Sequence, residues 1–201
     1  MSKQIFKCPP GQEQNVKNFQ DDIFEKNEYN RFGICIKEGD VVLDAGANVG
    51  LFTQYALDRG ASKVLAYESD KPHFKCYIEN IVDDRVKCTL GSVSNNNYDL
   101  DIILKQHNID KIDFAKIDIE GSEWDLFKFI SVENLKRVNK WAIEFHTLQY
   151  NDNYSWNDKR IKLLLLLNII EKFSVNGFRV KLQWIHKKWD VIHLFVEQEN
   201  K

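Results

Sequence analysis

The sequence predicts an α/β protein: a doubly wound, mostly parallel seven-stranded sheet with a C-terminal antiparallel hairpin. Three observations carry this. Short apolar runs alternate with stretches of helical spacing from about residue 41 to residue 173. The early runs Val41–Leu43 and Val64–Tyr67 are almost wholly apolar, as strands covered on both faces must be. The last two, Phe178–Ile185 and Val191–Val196, have only His186–Asp190 between them, which is the spacing of a hairpin.

Composition supports a soluble globular chain. Its 201 residues suit one domain, with 43% hydrophobic and 29% charged residues. Lys+Arg 28 against Asp+Glu 30 gives a net charge of -2, so bulk electrostatic attachment to nucleic acid is not expected. The start, MSKQIFKCPP, has no apolar run of signal-peptide length, and no stretch reaches the length of a membrane span. Cys8, Cys35, Cys76 and Cys88 form no Cys-x-x-Cys pair, which fits a reducing, cytoplasmic setting.

Residues 1–37 read as a tail and a helix, a candidate lid. Pro9–Pro10 separate the tail, and Val16, Phe19, Ile23 and Phe24 mark one helical face within residues 12–29. Residues 38–201 read as the main domain. After Val41–Leu43, a helix is expected over Leu51–Arg59, stopped by Gly60. The strand Val64–Tyr67 follows, then a helix capped by Asp70 with Pro72 in its first turn, running to about Asn80. Val86–Val93 is the third strand, Leu100–Leu104 a short helix and Ile112–Ile119 the fourth strand. Ser122 and Asp125 suggest a capping box for a helix that packs Trp124, Phe127 and Phe129 on the sheet. Trp141–His146 is the fifth strand and Asn157–Phe173 a long helix. Trp184 and Trp189 are expected to cover the hairpin or form a dimer contact. Lys136, Arg137 and Lys140 read as a solvated basic face, and His186–Lys188 as a solvated turn.

Ligands of such sheets sit beyond the carboxyl ends of the strands, and the unusual residues lie there. Asp44-Ala-Gly46-Ala-Asn48-Val-Gly50 follows the first strand. Gly46 is expected to admit a ligand close to the backbone, Gly50 to let helix and strand pack tightly, and the N–H groups at the helix start to meet a polar group. Asn48 and Leu51 replace the second and third glycines of the dinucleotide fingerprint, which weakens a nicotinamide dehydrogenase reading. Glu68, ending the second strand, is placed to accept from ribose hydroxyls.

Lys116, Asp118 and Glu120 point to one side of the charged fourth strand. Charge in a central strand is costly unless paired or bound to a ligand, so these residues mark a site or a structural Lys116–Asp118 ion pair. On the fifth strand, Trp141, Ile143 and Phe145 share one face, and Glu144 and His146 the other, near Asp118.

The glycine turn resembles motif I of class I S-adenosylmethionine-dependent methyltransferases, with Glu68 in the acidic position after the second strand. Lys116-Ile-Asp118-Ile-Glu120-Gly121-Ser122-Glu123 resembles the signature of FkbM-type methyltransferases. The likeness covers roughly residues 38–146 and implies a Rossmann-like methyltransferase fold. It implies O-methylation of a hydroxyl on a saccharide or small molecule. It also implies that Asp44, Gly46, Ala47, Asn48, Gly50, Glu68, Ser69, Ser92, Asp118 and Glu120 bind S-adenosylmethionine. The loop after the third strand lacks the acid that often contacts adenine, leaving Ser92 or Asn95 for that task.

For the chemistry, Asp118 orients the methionine end or the acceptor, and Glu144 and His146 activate the acceptor. The favoured reading needs no metal; in a second mechanism Asp118, Glu144 and His146 hold a divalent cation. Other readings are an RNA or protein methyltransferase and a non-catalytic module that binds S-adenosylmethionine. A monomer or homodimer is expected, without nucleic acid or a membrane span.

Overall fold

A computed structural model describes residues 5–94, 100–146, 156–185 and 191–199, with backbone alone at 156–159 and 184–185. The N-terminal segment forms α1 (Glu13–Gln20), continued by one π-helical stretch over Asp21–Glu25. Strands and helices then alternate: β1 (Val41–Ala45), α2 (Leu51–Asp58), β2 (Lys63–Glu68), α3 (Lys71–Asn80), β3 (Val86–Leu90), α4 (Leu100–His107) and β4 (Ile112–Ile117). After them come α5 (Glu123–Phe129), α6 (Val132–Leu135), β5 (Val138–His146), α7 (Trp156–Val175), β6 (Phe178–Ile185) and β7 (Val191–Gln198).

The sheet order is β3-β2-β1-β4-β5-β7-β6. The first five strands in that order are parallel, and β7 runs antiparallel to both β5 and β6. The doubly wound sheet with its terminal hairpin is therefore the one the sequence predicts. Strand order reverses between β1 and β4, and that switch point opens a crevice above the strand ends.

Each face of the sheet buries its own core. Leu43, Leu65, Tyr67, Ile103, Phe127, Trp141 and Phe145 fill one, beneath α4, α5 and α7. Val42, Val64, Ala66, Phe52, Tyr55, Phe114 and Ala142 fill the other, beneath α2 and α3. Alternation along β1 and β2 sends adjacent residues to opposite cores. The N-terminal segment is packed into the second core through Phe6, Val16, Ile23, Tyr29, Ile34 and Ile36.

Several local expectations change in three dimensions. β3 stops at Leu90, because its last paired residue on β2 is Glu68, where β2 ends. β4 stops at Ile117, its last pair with β1. Asp70 does cap α3, accepting from the His73 N–H at 3.0 Å. The Ser122 capping box does not form. Glu120 and Gly121 take positive φ of 54° and 101°, which turns the chain so sharply that Ser122 is already helical, with φ -77° and ψ -6°. Trp124 and Phe127 are buried as expected, but Phe129 is 62% exposed, being on the outer side of α5. Lys140 is buried rather than solvated: its Nζ donates to Asp40 Oδ2 at 2.9 Å and to the Cys35 carbonyl at 3.0 Å. Arg137 donates to Asp101 at 2.7 Å. The four cysteines are free. No described helix is long and apolar enough to cross a membrane. Asn95, Trp189 and the turn 186–190 lie outside the described residues.

Candidate active site

A cavity of about 580 Å³ opens at the switch point, lined by Gly46, Ala47, Asn48, Lys116, Asp118, Glu120, Glu144 and His146. Phe19, Asp22, Ile23, Glu28 and Tyr29 of the N-terminal segment close its other side. The volume is that of a typical small-molecule site.

The glycine turn is held from within. Gly46 and Ala47 both donate to the Tyr67 carbonyl, at 2.9 and 3.0 Å. The Asn48 N–H donates to Glu68 Oε2 at 2.7 Å, and the Val49 N–H to Asn48 Oδ1 at 2.8 Å. The Gly50 N–H donates to the Ala47 carbonyl at 2.9 Å. The donors of the turn itself are thus taken up within the fold, while the first N–H groups of α2, from Leu51 on, receive no side-chain cap. Gly46 lines the cavity, and both glycines also have close neighbours within the fold. A Cβ on Gly46 would stand 1.7 Å from the Asp118 carbonyl oxygen, so its close neighbour is the end of β4. A Cβ on Gly50 would stand 2.6 Å from Ile81 Cγ1 and 3.3 Å from Tyr77 Cδ2, so Gly50 makes room for α3 and the residue after it.

Glu68 accepts a second backbone bond through Oε1, from Asp70 at 2.6 Å. A carboxylate has about four acceptor positions, so two remain for hydroxyls. Asp44 is fully buried; Oδ2 accepts from Thr53 at 2.7 Å and Oδ1 lies 3.6 Å from Lys116 Nζ. Burial raises its pKa, against the opposing pull of Lys116 and Thr53. Asp44, Gly50, Glu68, Ser69 and Ser92 do not line the cavity. Ser69 is exposed, and among the described residues the Ser92 hydroxyl reaches the Val93 carbonyl alone, at 3.5 Å.

Lys116 ties the two central strands together. Its Nζ donates to the Gly46 carbonyl at 2.6 Å and lies 3.2 Å from Asp118 Oδ2. Burial works against its charge, but Asp118 and Asp44 outweigh burial and raise its pKa. For Asp118 burial is likewise outweighed, by Lys116 and His146, and its pKa is lowered. The structural ion pair and the site are therefore the same group of residues.

His146 is ringed by carboxylates. Its Nδ1 meets Glu123 Oε1 at 3.1 Å, and Nε2 lies 3.7 Å from Asp118, 3.6 Å from Glu120 and 3.7 Å from Glu144. Burial disfavours the imidazolium, but the Glu123 hydrogen bond and the surrounding acids prevail and lift the pKa to about 9. That pKa favours the charged ring at neutral pH, with Nδ1–H hydrogen-bonded to Glu123 and Nε2 held among three carboxylates beyond hydrogen-bond distance.

Four residues at the site escaped the sequence reading. Glu123 is completely buried and fixes both His146 and the turn, accepting from the Ile119 N–H at 2.8 Å. It stands inside the charged signature, so a signal for it existed. The Tyr29 hydroxyl lies 3.4 Å from Asp118 Oδ2 and 3.3 Å from Glu144 Oε2; one tyrosine in the N-terminal segment carries no signal of this. Glu28 lies beside it on the same segment. His193 lies 3.1 Å from Glu144 Oε2, and its polar side chain within the apolar run of β7 was the available clue.

No curated protein sequence matches this chain. Solved structures do resemble it in fold. A candidate rRNA methylase from Clostridium thermocellum aligns with a TM-score of 0.60 at 12% identity, over 90% of this chain and 97% of that one. The M. capricolum TrmK structure, solved with S-adenosylhomocysteine, gives 0.56 at 13% identity, over 89% and 69%. Precorrin-6y C5,15-methyltransferase from Geobacter metallireducens gives 0.56 at 11% identity, over 100% and 97%. A sequence model of the FtsJ-like methyltransferase family matches residues 25–180, which takes in β1 through β5, α7 and the cavity lining from Glu28 to His146. The chain belongs to the FtsJ-like methyltransferase family and is a class I methyltransferase that uses S-adenosylmethionine.

Proposed function

We propose that the chain methylates a hydroxyl oxygen of a saccharide or other small molecule, in the manner its FkbM-like signature implies. The observation that carries this is the convergence of Asp118, Glu144 and His146 on one cavity beside the glycine turn. The cavity presents Asp22, Glu28, Asp118, Glu120 and Glu144 against Lys116 and His146. That acidic excess suits a cationic donor and opposes a phosphodiester. Activity in a reducing, cytoplasmic setting is part of the same reading.

The residues fit the donor. Glu68 keeps free lone pairs for ribose hydroxyls, and Asp44, Gly46, Ala47, Asn48, Gly50, Ser69 and Ser92 form the rim and its support on that side. When bound, S-adenosylmethionine supplies an electrophilic methyl group on a sulfonium. Asp118, held by Lys116, and Glu120 offer negative charge at the methionine side. Glu144 is the carboxylate that accepts the acceptor's hydroxyl proton. His146, already protonated, holds Asp118 and Glu144 in place instead of acting as a base. The N-terminal segment, residues 1–37, acts as the lid through Tyr29, excluding water from the reacting groups.

Two measurements test the reading. Calorimetry with S-adenosylhomocysteine should show binding that Glu68→Gln weakens; loss of one carboxylate oxygen as acceptor removes about 1–3 kcal/mol. Labelled donor should then transfer methyl to saccharides or hydroxylated small molecules, and not to transcribed ribosomal or transfer RNA. Methylated RNA with no small-molecule product would replace this acceptor class with RNA. Donor binding with no transfer to any acceptor would favour a binding module.

A further inference from the structure

We propose that Glu28, Glu144 and His193 form a binding site for a divalent transition cation, Mn²⁺ or Zn²⁺, in the cavity wall. This goes beyond methyl transfer and does not depend on it.

The three residues offer one ligand atom each, all within 4.8 Å of one another. Nε2 of His193 is 3.1 Å from Glu144 Oε2 and 3.9 Å from Glu28 Oε1. Ligands sharing a cation at bonds of about 2.0–2.2 Å stand roughly 3–4 Å apart, so little rearrangement is needed. A separate observation comes from His193 itself. Its side chain is 2% exposed, yet Nε2 makes no hydrogen bond to any described residue, because the neighbouring carboxylate oxygen lies off the N–H axis. A buried ring nitrogen in that state is costly unless something binds it.

The fold builds the geometry. Glu144 on β5 and His193 on β7 are register partners across an antiparallel ladder, which sets their side chains side by side. Tyr29 stacks on the His193 ring, with centroids 6.2 Å apart at 12°. His146 stands on the other side of Glu144, 3.7 Å from Oε1, and Lys116 is hydrogen-bonded to the Gly46 carbonyl and paired with Asp118, so Glu28 has no lysine or arginine partner among the described ion pairs. One imidazole with two carboxylates suits Mn²⁺ or Zn²⁺ better than Mg²⁺ or Ca²⁺, which prefer oxygen alone. Three protein ligands leave coordination positions open toward the cavity.

A second cluster, Asp118, Glu120 and His146, has comparable spacing. It is the weaker choice, because His146 Nδ1 is bound to Glu123 and the Glu120 side chain is 88% exposed. This grouping also differs from the Asp118, Glu144 and His146 set suggested by the sequence. Glu28 belongs to the N-terminal segment and the other two ligands to the sheet, so the cation would pin that segment over the cavity.

The test uses the full chain after chelator treatment and dialysis, titrated with MnCl₂ or ZnCl₂ by calorimetry. Mn²⁺ binding is followed in parallel by electron paramagnetic resonance. The expected result is saturable binding near one ion per chain, with imidazole nitrogen coupling in the pulsed spectrum. Glu28→Gln should weaken affinity by about 10-fold or more, His193→Asn should abolish the nitrogen coupling, and Glu120→Gln should change neither. Melting curves in chelator check that each variant folds; if His193→Asn does not, Glu28→Gln, on the half-buried segment, decides alone. Absence of saturable binding by either ion overturns the proposal. So does affinity that falls with Glu120→Gln but survives Glu28→Gln.

Discussion

Nδ1 of His146 lies 3.1 Å from Oε1 of Glu123, a carboxylate with no exposed surface. This contact, with the surrounding acids, lifts the pKa of the central imidazole of the cavity to about 9 against the effect of burial, which favours its charged form at neutral pH. It also ties the end of β5 to the start of α5. Trp124, the next residue, strengthens the tie by donating Nε1–H to the His146 carbonyl at 2.8 Å.

The His146 pKa of about 9 exceeds its unfolded value near 6.5, so the folded state binds the proton more tightly. The resulting stability is fully present below about pH 6.5 and is lost as pH rises through about 9. With chelator present, urea denaturation should show wild type losing up to about 3 kcal/mol across that window relative to His146→Gln. Glu123→Gln should lower the His146 pKa, read directly by NMR titration of the ring. An unchanged titration would remove Glu123 as its cause.

Lys116→Met leaves Asp44 and Asp118 without their shared cation. Removing one partner of a buried charge cluster costs about 3–5 kcal/mol. Adding Asp44→Asn to Lys116→Met should restore part of that loss, because one of the stranded carboxylates is gone. A double-variant cycle in urea measures the coupling; simple additivity would mean that the two groups act independently.

Gly46 and Gly177 share nearly the same backbone, with φ of 80° and 86°. Their surroundings differ: a Cβ on Gly177 meets nothing within 4 Å, and on Gly46 it meets the Asp118 carbonyl. Gly177→Ala should therefore cost only the left-handed penalty of about 1–2 kcal/mol. Gly46→Ala should cost more than about 4 kcal/mol, because backbone must move. Equal losses of stability would show that β4 yields easily at Asp118.

Much of the fold was legible because it rests on local patterns. Apolar runs and helical spacing follow burial, which alternates along each element, and the hairpin follows from two strands separated by a short turn. The convergence of Asp118, Glu144 and His146 was also legible, since parity on neighbouring strands places side chains on a common face. The same logic could not say that His146 is charged. That depends on Glu123, whose carboxylate reaches the ring only after Glu120 and Gly121 reverse the chain.

The N-terminal segment was legible as a candidate lid, but not the residues by which it reaches the acids of the site. Glu28 and Tyr29 reach the sheet across more than a hundred residues of chain, and no periodicity records where a loop will dock. Gly46 and Gly50 were recognised as necessary, but their neighbours proved to be the end of β4 and the α3 side. By itself the sequence determined the order of elements, the sheet they form, the class I methyltransferase resemblance and the strand ends where charged residues gather, because those depend on local motifs, nearest-neighbour backbone geometry and burial. Only the tertiary structure decided which charges meet and which residues of the N-terminal segment line the cavity. Coulombic and hydrogen-bond energies depend on through-space distances of a few ångströms, and spacing along the chain does not encode them.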